Sequence, residues 1–356
     1  MKFLIKVLMF LLLLPVSLAF SDQSFDMTQL QKIAVQHEGR IKPLQTYASE
    51  SMKILTGRER FEGKDPIENL LHILFTQDWA QSHPLIRINY RPLLKDVGLD
   101  VEQKYYSYLE LTTNQKLMQL MEETVQKNQN QKQVSPYDRK VLAVYQQVSF
   151  LHSLVSGEVL ALLPNPNDKR GYWTTVYEIN AGNDHSEGTE KIRTLIASVG
   201  DAFQKKNASL FYEQTKQLVE FLRHIHPEAY PSEEVINREI LYNNTKPFQT
   251  AWILYLSAFI LSLILFGSRF FWLSLLPFIT GFVYHTLGIV LRTLISGRAP
   301  VSNMYESMNF MVWGICLLAF IFQIFSKKRI FITVAGLLGF FILVLASLMP
   351  IDNGIP

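Results

Sequence analysis

Residues 284–310 read YHTLGIVLRTLISGRAPVSNMYESMNF, a strongly apolar region that nevertheless holds His285, Arg292, Arg298, Pro300 and Glu306. Polar groups are costly in a bilayer, so they line a site or sit at a water boundary. On a helix, His285 and Arg292 are seven residues apart and share a face, with Gly288 on much the same side leaving room for a bulky group. An imidazole with nearby guanidinium groups can hold an iron porphyrin, the ring nitrogen as axial ligand and the arginines on the propionates. The same residues also fit plainer roles. His285 suits a packed interhelix contact, and the arginines can snorkel to lipid headgroups. Asn303 and Glu306 have the spacing of a capping box opening the next helix, and Pro300 can simply end the loop. Spacing alone leaves both readings open.

The elements that must position these residues follow from composition. The chain has 356 residues, 48% hydrophobic, with nearly all the long apolar runs at the two ends. Residues 1–20 combine Lys2 and Lys6, an apolar run and a Ser17-Leu18-Ala19 exit. This predicts a signal peptide over 1–19, with a retained anchor helix as the alternative; either way the segment after it is exported. A net charge of +3 with interspersed signs points to no nucleic-acid partner. Cys316 is the single cysteine, which excludes an internal disulfide, a thiolate zinc site and a CxxC redox pair within one chain.

Residues 20–245 read as an extracytoplasmic domain, mostly helical with minor β content. A short strand, a turn at Gly39 and a helix are expected near the start. Residues 102–127 have helical spacing, and the polar stretch QKNQNQKQVSPYD (126–138) reads as an exposed loop with a Ser-Pro break. A second helix is expected from Arg139 to Pro164, then a turn and a strand, then helices near 188–204 and 208–225. His224 and His226 lack nearby carboxylate or thiol ligands for a metal, and His37 and Glu38 read as turn residues.

From 246 to 356 the pattern predicts a transmembrane domain with four apolar segments, about 249–267, 270–291, 306–325 and 330–349. Each approaches the roughly 20 residues that span a bilayer. An exported domain makes the first span run inward, which places Arg269 in a cytoplasmic turn. The third span then ends at Lys327, Lys328 and Arg329, also cytoplasmic, as the positive-inside rule expects. His285 then lies near the outer end of the second span, with Arg292 and Arg298 at or beyond the external surface in a loop over 292–305. The fold class is thus a membrane protein, an exported helical domain followed by a bundle of four transmembrane helices.

The run RTLISGRAPVSNMYES resembles the signature segment of the CcsA/ResC family, the haem-handling membrane subunit of the system II cytochrome c synthase. The matching residues are Arg292, Gly297, Pro300, Ser302, Asn303, Tyr305, Glu306 and Ser307. RIKPLQTYA (40–48) resembles the start of the exported region in fused forms of that synthase, and REILYNNTKPF (238–248) resembles the segment leading into their later membrane helices. The resemblance implies a bacterial inner-membrane protein of c-type cytochrome maturation, with haem as cofactor and apocytochrome c as partner. It also admits a ResB-like subunit. His285, Arg292, Arg298, Gly297, Pro300, Asn303, Tyr305 and Glu306 become haem-binding or loop-positioning candidates.

The departures are equally informative. The family's haem lyase activity depends on a tryptophan-rich WWD loop flanked by external histidines, whereas the five tryptophans here (79, 173, 252, 272 and 313) are scattered. A WWD-containing chain or a C-terminal continuation is therefore expected to share the haem. Arg298 stands where the family commonly has a histidine. The competing reading is a haem-independent extracytoplasmic sensor or transporter subunit.

Overall fold

A computed structural model of the chain describes residues 25–164, 171–182, 186–326 and 328–348, so the segment 1–19 expected to be a signal peptide lies outside the described residues. After the single turn α1 (Thr28–Gln31), β1 (Ala34–His37) and β2 (Arg40–Pro43) form an antiparallel hairpin with His37 opposite Arg40. Glu38 and Gly39 both have positive φ, 52° and 79°, as a tight two-residue turn that twists with its strands requires. The expected strand-turn-helix is therefore a hairpin followed by α2 (Leu44–Thr56).

Next come α3 (Pro66–Phe75), α4 (Gln77–Ser82), β3 (Pro84–Arg87), α5 (Arg91–Val97) and β4 (Tyr105–Ser107), with β3 and β4 paired antiparallel. The helix expected over 102–127 is divided into α6 (Tyr108–Thr113) and α7 (Gln115–Gln129). Asn114 breaks it, since its side chain caps α7 by accepting from the Leu117 amide at 3.0 Å. The Ser-Pro break is the start of α8 (Pro136–Ser156): Ser135 and Asp138 form a capping box, and Pro136 occupies the first turn, where its missing N–H costs nothing. Helix α8 stops at Gly157 in the left-handed region, short of Pro164, and the apolar Ala161–Leu163 beyond it is strand β5.

Strand β6 (Thr174–Thr175) and α9 (Val176–Ala181) lead to α10 (Glu187–Gln204) and α11 (Ala208–Ile225), the two helices expected there, capped by Ser186 and Asn207. The sheet order is β2-β1-β5-β6. Around it the helices enclose one continuous core. A further helix, α12 (Glu233–Thr245), lies beyond those expected from the pattern, and it joins this domain to the C-terminal helices.

Among the described residues, the last part contains four helices long and apolar enough to cross a membrane. They are α13 (Pro247–Ile264), α14 (Leu275–Ser296, preceded by a 3-10 turn at Phe271–Ser274), α15 (Met304–Ser326) and α16 (Ile330–Leu348). Helix α13 packs along both α14 and α16, and α15 packs along α16. Close approach needs small residues, because lipid supplies no hydrophobic drive between helices. Gly281, Gly336 and Gly339 provide it around Tyr255, and a Cβ at Gly339 would lie 2.7 Å from that ring. The second membrane helix runs five residues beyond its expected end, to a left-handed cap at Gly297 whose amide donates to Thr293 at 2.9 Å. Arg292 is therefore a buried helical residue, not an external loop residue, and the loop shrinks to 297–303.

Candidate functional site

Helix α12 lies where the N-terminal domain meets the membrane helices. Glu239, Tyr242 and Asn243 are three and four residues apart and project from one side of it. Glu239 is buried and accepts from Arg40 Nη2 at 2.6 Å and from Thr46 Oγ1 at 2.7 Å. Asn243 Nδ2 donates to the same Thr46 hydroxyl at 2.8 Å. Arg40 is held by the β-hairpin and Thr46 by the first turn of α2, so the domain grips α12 through its earliest elements. Lys246, at φ 43°, turns the chain from α12 into α13, and its ammonium pairs with Glu59 at 2.6 Å.

From the same helix, Tyr242 makes a second set of contacts, with the membrane part. Arg292, only 1% exposed, donates from Nη1 to the Tyr242 hydroxyl at 3.4 Å and from Nη2 to Glu306 Oε1 at 3.0 Å. Its guanidinium lies 5.2 Å from the Tyr305 ring centroid and 6.0 Å from that of Tyr242. Burying a charge is costly unless it is paired and hydrogen-bonded. Here the pairing is through Glu306, whose other oxygen accepts from the Ser302 amide at 3.1 Å. The Glu306 amide in turn donates to Asn303 Oδ1 at 2.8 Å. The Asn303 half of the expected capping box is present. The Glu306 carboxylate instead ties the loop to Arg292. One carboxylate thus fixes the end of α14, the loop and the start of α15.

His285 sits one layer deeper and is fully buried. Its Nε2 meets the Asn309 carbonyl at 3.1 Å, and its Nδ1 meets the Tyr255 hydroxyl at 3.2 Å. A carbonyl can only accept, so Nε2 carries the proton and Nδ1 accepts from Tyr255. The space left by Gly288 is filled by this chain's own Phe248, whose nearest ring atom would lie 2.9 Å from a Cβ there. The Phe248 edge also meets the His285 and Tyr305 rings, with centroids 5.5 and 6.1 Å away.

The structure thus gathers His285, Arg292, Asn303, Tyr305 and Glu306 into one cluster. Gly297 caps α14 beside it, while Arg298 is exposed and Pro300 partly so. Tested against an iron porphyrin, the cluster does not fit as an axial site. Both ring nitrogens of His285 are engaged, and the Arg292 guanidinium faces a carboxylate at hydrogen-bond distance. Of the two candidate arginines only Arg298 is solvent-facing. Among the described residues, no three His, Cys, Asp or Glu side chains converge as a metal set. Sequence reasoning about the site missed Arg40, Glu239, Tyr242 and Tyr255. The first three lie within the two stretches noted for their resemblance, which was the available signal.

Beside the cluster, between α2, α12 and the start of α13, opens a cleft of about 300 Å³. Glu239, Tyr242, Phe248 and Tyr305 reach its wall.

No protein-family profile matches the chain. The chain is similar to Protein NrfI of Wolinella succinogenes, with 26% identity over 298 residues, which make up 80% of this chain and 32% of NrfI. It therefore spans about a third of the length of that relative. The similarity supports a relation to cytochrome c biogenesis.

Proposed function

We propose that this protein is an inner-membrane component of c-type cytochrome maturation, taking part in haem delivery and attachment to apocytochrome c on the outer face. The observation that carries this reading is the meeting of three distant stretches. Arg40, Glu239 with Tyr242, and Arg292 with Glu306 belong to the three segments that resemble the system II synthase, and helix α12 joins them, its Glu239 holding Arg40 and its Tyr242 meeting the Arg292–Glu306 pair. The similarity to NrfI supports the coarser part of this reading, a role in c-type cytochrome maturation.

In that reaction the porphyrin vinyl groups form thioethers with the thiols of a CxxCH segment. The residues of this chain serve it by holding the 297–303 loop and the N-terminal domain in fixed relation at the membrane surface. Arg298 faces outward from that loop, toward a haem-presenting partner chain or continuation with a WWD loop, and its guanidinium suits a propionate.

Removing the protein from its host tests the reading. Haem-stained c-type cytochromes should disappear from denaturing gels while the spectra of b-type cytochromes persist. Unchanged c-type levels would overturn it.

A further inference from the structure

The end of the membrane helices remote from the N-terminal domain carries positive charge without counter-charge among the described residues. Arg269 lies in the turn between α13 and α14, and Lys328 and Arg329 lie in the turn between α15 and α16. Arg329 Nη1 donates to the carbonyl of Phe266, just past the end of α13, so the two turns form one patch. The Arg329 guanidinium also lies 5.4 Å from the Phe271 ring centroid, and that of Arg269 lies 4.9 Å from Phe270. Arg269 and Lys328 are exposed. Between Pro247 and Leu348 the sequence has a single carboxylate, Glu306, and it is engaged with Arg292 at the opposite end. The rim of the patch is apolar and faces outward, with Trp272 60% and Phe325 81% exposed. Tryptophan settles at headgroup depth, its indole being apolar with one polar edge.

We propose that this patch is a binding site for the phosphodiester headgroup of an anionic phospholipid, built from Arg269, Lys328 and Arg329. The patch caps one end of helices long enough to span a bilayer, and among the described residues no carboxylate of the membrane part competes for its cations. Arg329 uses one N–H group on the Phe266 carbonyl, which aims the rest of its planar fork; a lysine there would keep the charge and lose the fork. The site is thus shaped by two tied turns, which distinguishes it from the diffuse positive charge that merely orients a membrane protein.

The test uses the full chain purified in detergent and mixed with equal amounts of phosphatidylglycerol and phosphatidylcholine of the same acyl chains. Native mass spectrometry then counts the lipids retained. Wild type should retain phosphatidylglycerol preferentially. The double variant Arg269→Gln with Lys328→Gln should lower that preference by about fivefold for each cation lost. Arg329→Lys, at unchanged charge, should lower it severalfold. Lys216→Gln, on the surface of the N-terminal domain, should leave it unchanged. Lys328→Gln alone supplies the single-cation step if the double variant does not fold. Equal retention of the two lipids by wild type would overturn the proposal. So would a full preference in Arg329→Lys, or a loss in Lys216→Gln equal to that in Lys328→Gln, because either marks diffuse charge.

Discussion

Replacing Glu306 by glutamine tests the central ion pair. The pair is almost wholly removed from solvent, with side chains 1% and 2% exposed and a separation of 3.0 Å. Glutamine keeps an oxygen that can accept from the Ser302 amide, but it turns an NH2 group toward a guanidinium that also only donates. The Arg292 charge then stays buried without its carboxylate. Breaking a buried pair in this way costs about 3–5 kcal/mol. For a chain of this size that corresponds to a fall in melting temperature on the order of 10 °C. Asn303→Ala is the control, since it removes the helix cap alone and costs about 1 kcal/mol. Intrinsic-fluorescence melting in detergent reads both variants. The double variant Arg292→Met with Glu306→Leu removes both charges and should recover most of the loss. If Glu306→Gln melts no lower than Asn303→Ala, the carboxylate merely caps its helix and the ion pair holds nothing together.

His285→Ala should destabilise the protein by about 1–3 kcal/mol, because the Tyr255 hydroxyl loses its buried acceptor. Haem retained per protein should be unchanged; lost haem absorbance restored by added imidazole would contradict this. His72 gives a pH dependence, because burial beside Lys64 pushes its pKa down to about 4 from the ordinary 6.5. The unfolded chain therefore takes up this proton first. The stability His72 contributes is complete above about pH 6.5 and is lost as the pH falls toward 4. Melting curves across that window should drop, and His72→Gln should flatten them. Alkaline phosphatase fused after Asn303 should be active and after Lys328 inactive, whereas activity at Lys328 would reverse the proposed topology.

The four membrane helices are legible in the sequence because a bilayer demands about 20 apolar residues in a row, and α10 and α11 because their apolar spacing runs cleanly between caps. The end of the second membrane helix is not. Hydropathy falls at Arg292, and only the pairing with Glu306 across the loop lets the helix carry that charge onward. Gly288 does make room for something bulky, but the occupant is Phe248, forty residues earlier in the chain. The Arg40–Glu239 contact joins residues 199 apart, and no local periodicity reports such a pair. The pattern overextends helix α8 because Ala161–Leu163 is apolar in either state; the left-handed Gly157 decides it. At Arg292, Gly288 and Arg40 local pattern names the residue type, and tertiary pairing supplies the role.

A role in haem attachment is read from the yield of covalent haem on an apocytochrome c, by haem staining of a denaturing gel from a host without its own maturation system. This chain is co-expressed there with a chain bearing a WWD loop and its flanking histidines. Stained cytochrome is expected when both chains are present and none when either is omitted, with a strong reduction when this chain carries Arg292→Ala at normal protein level. Equal staining without this chain would contradict its part in cytochrome c maturation.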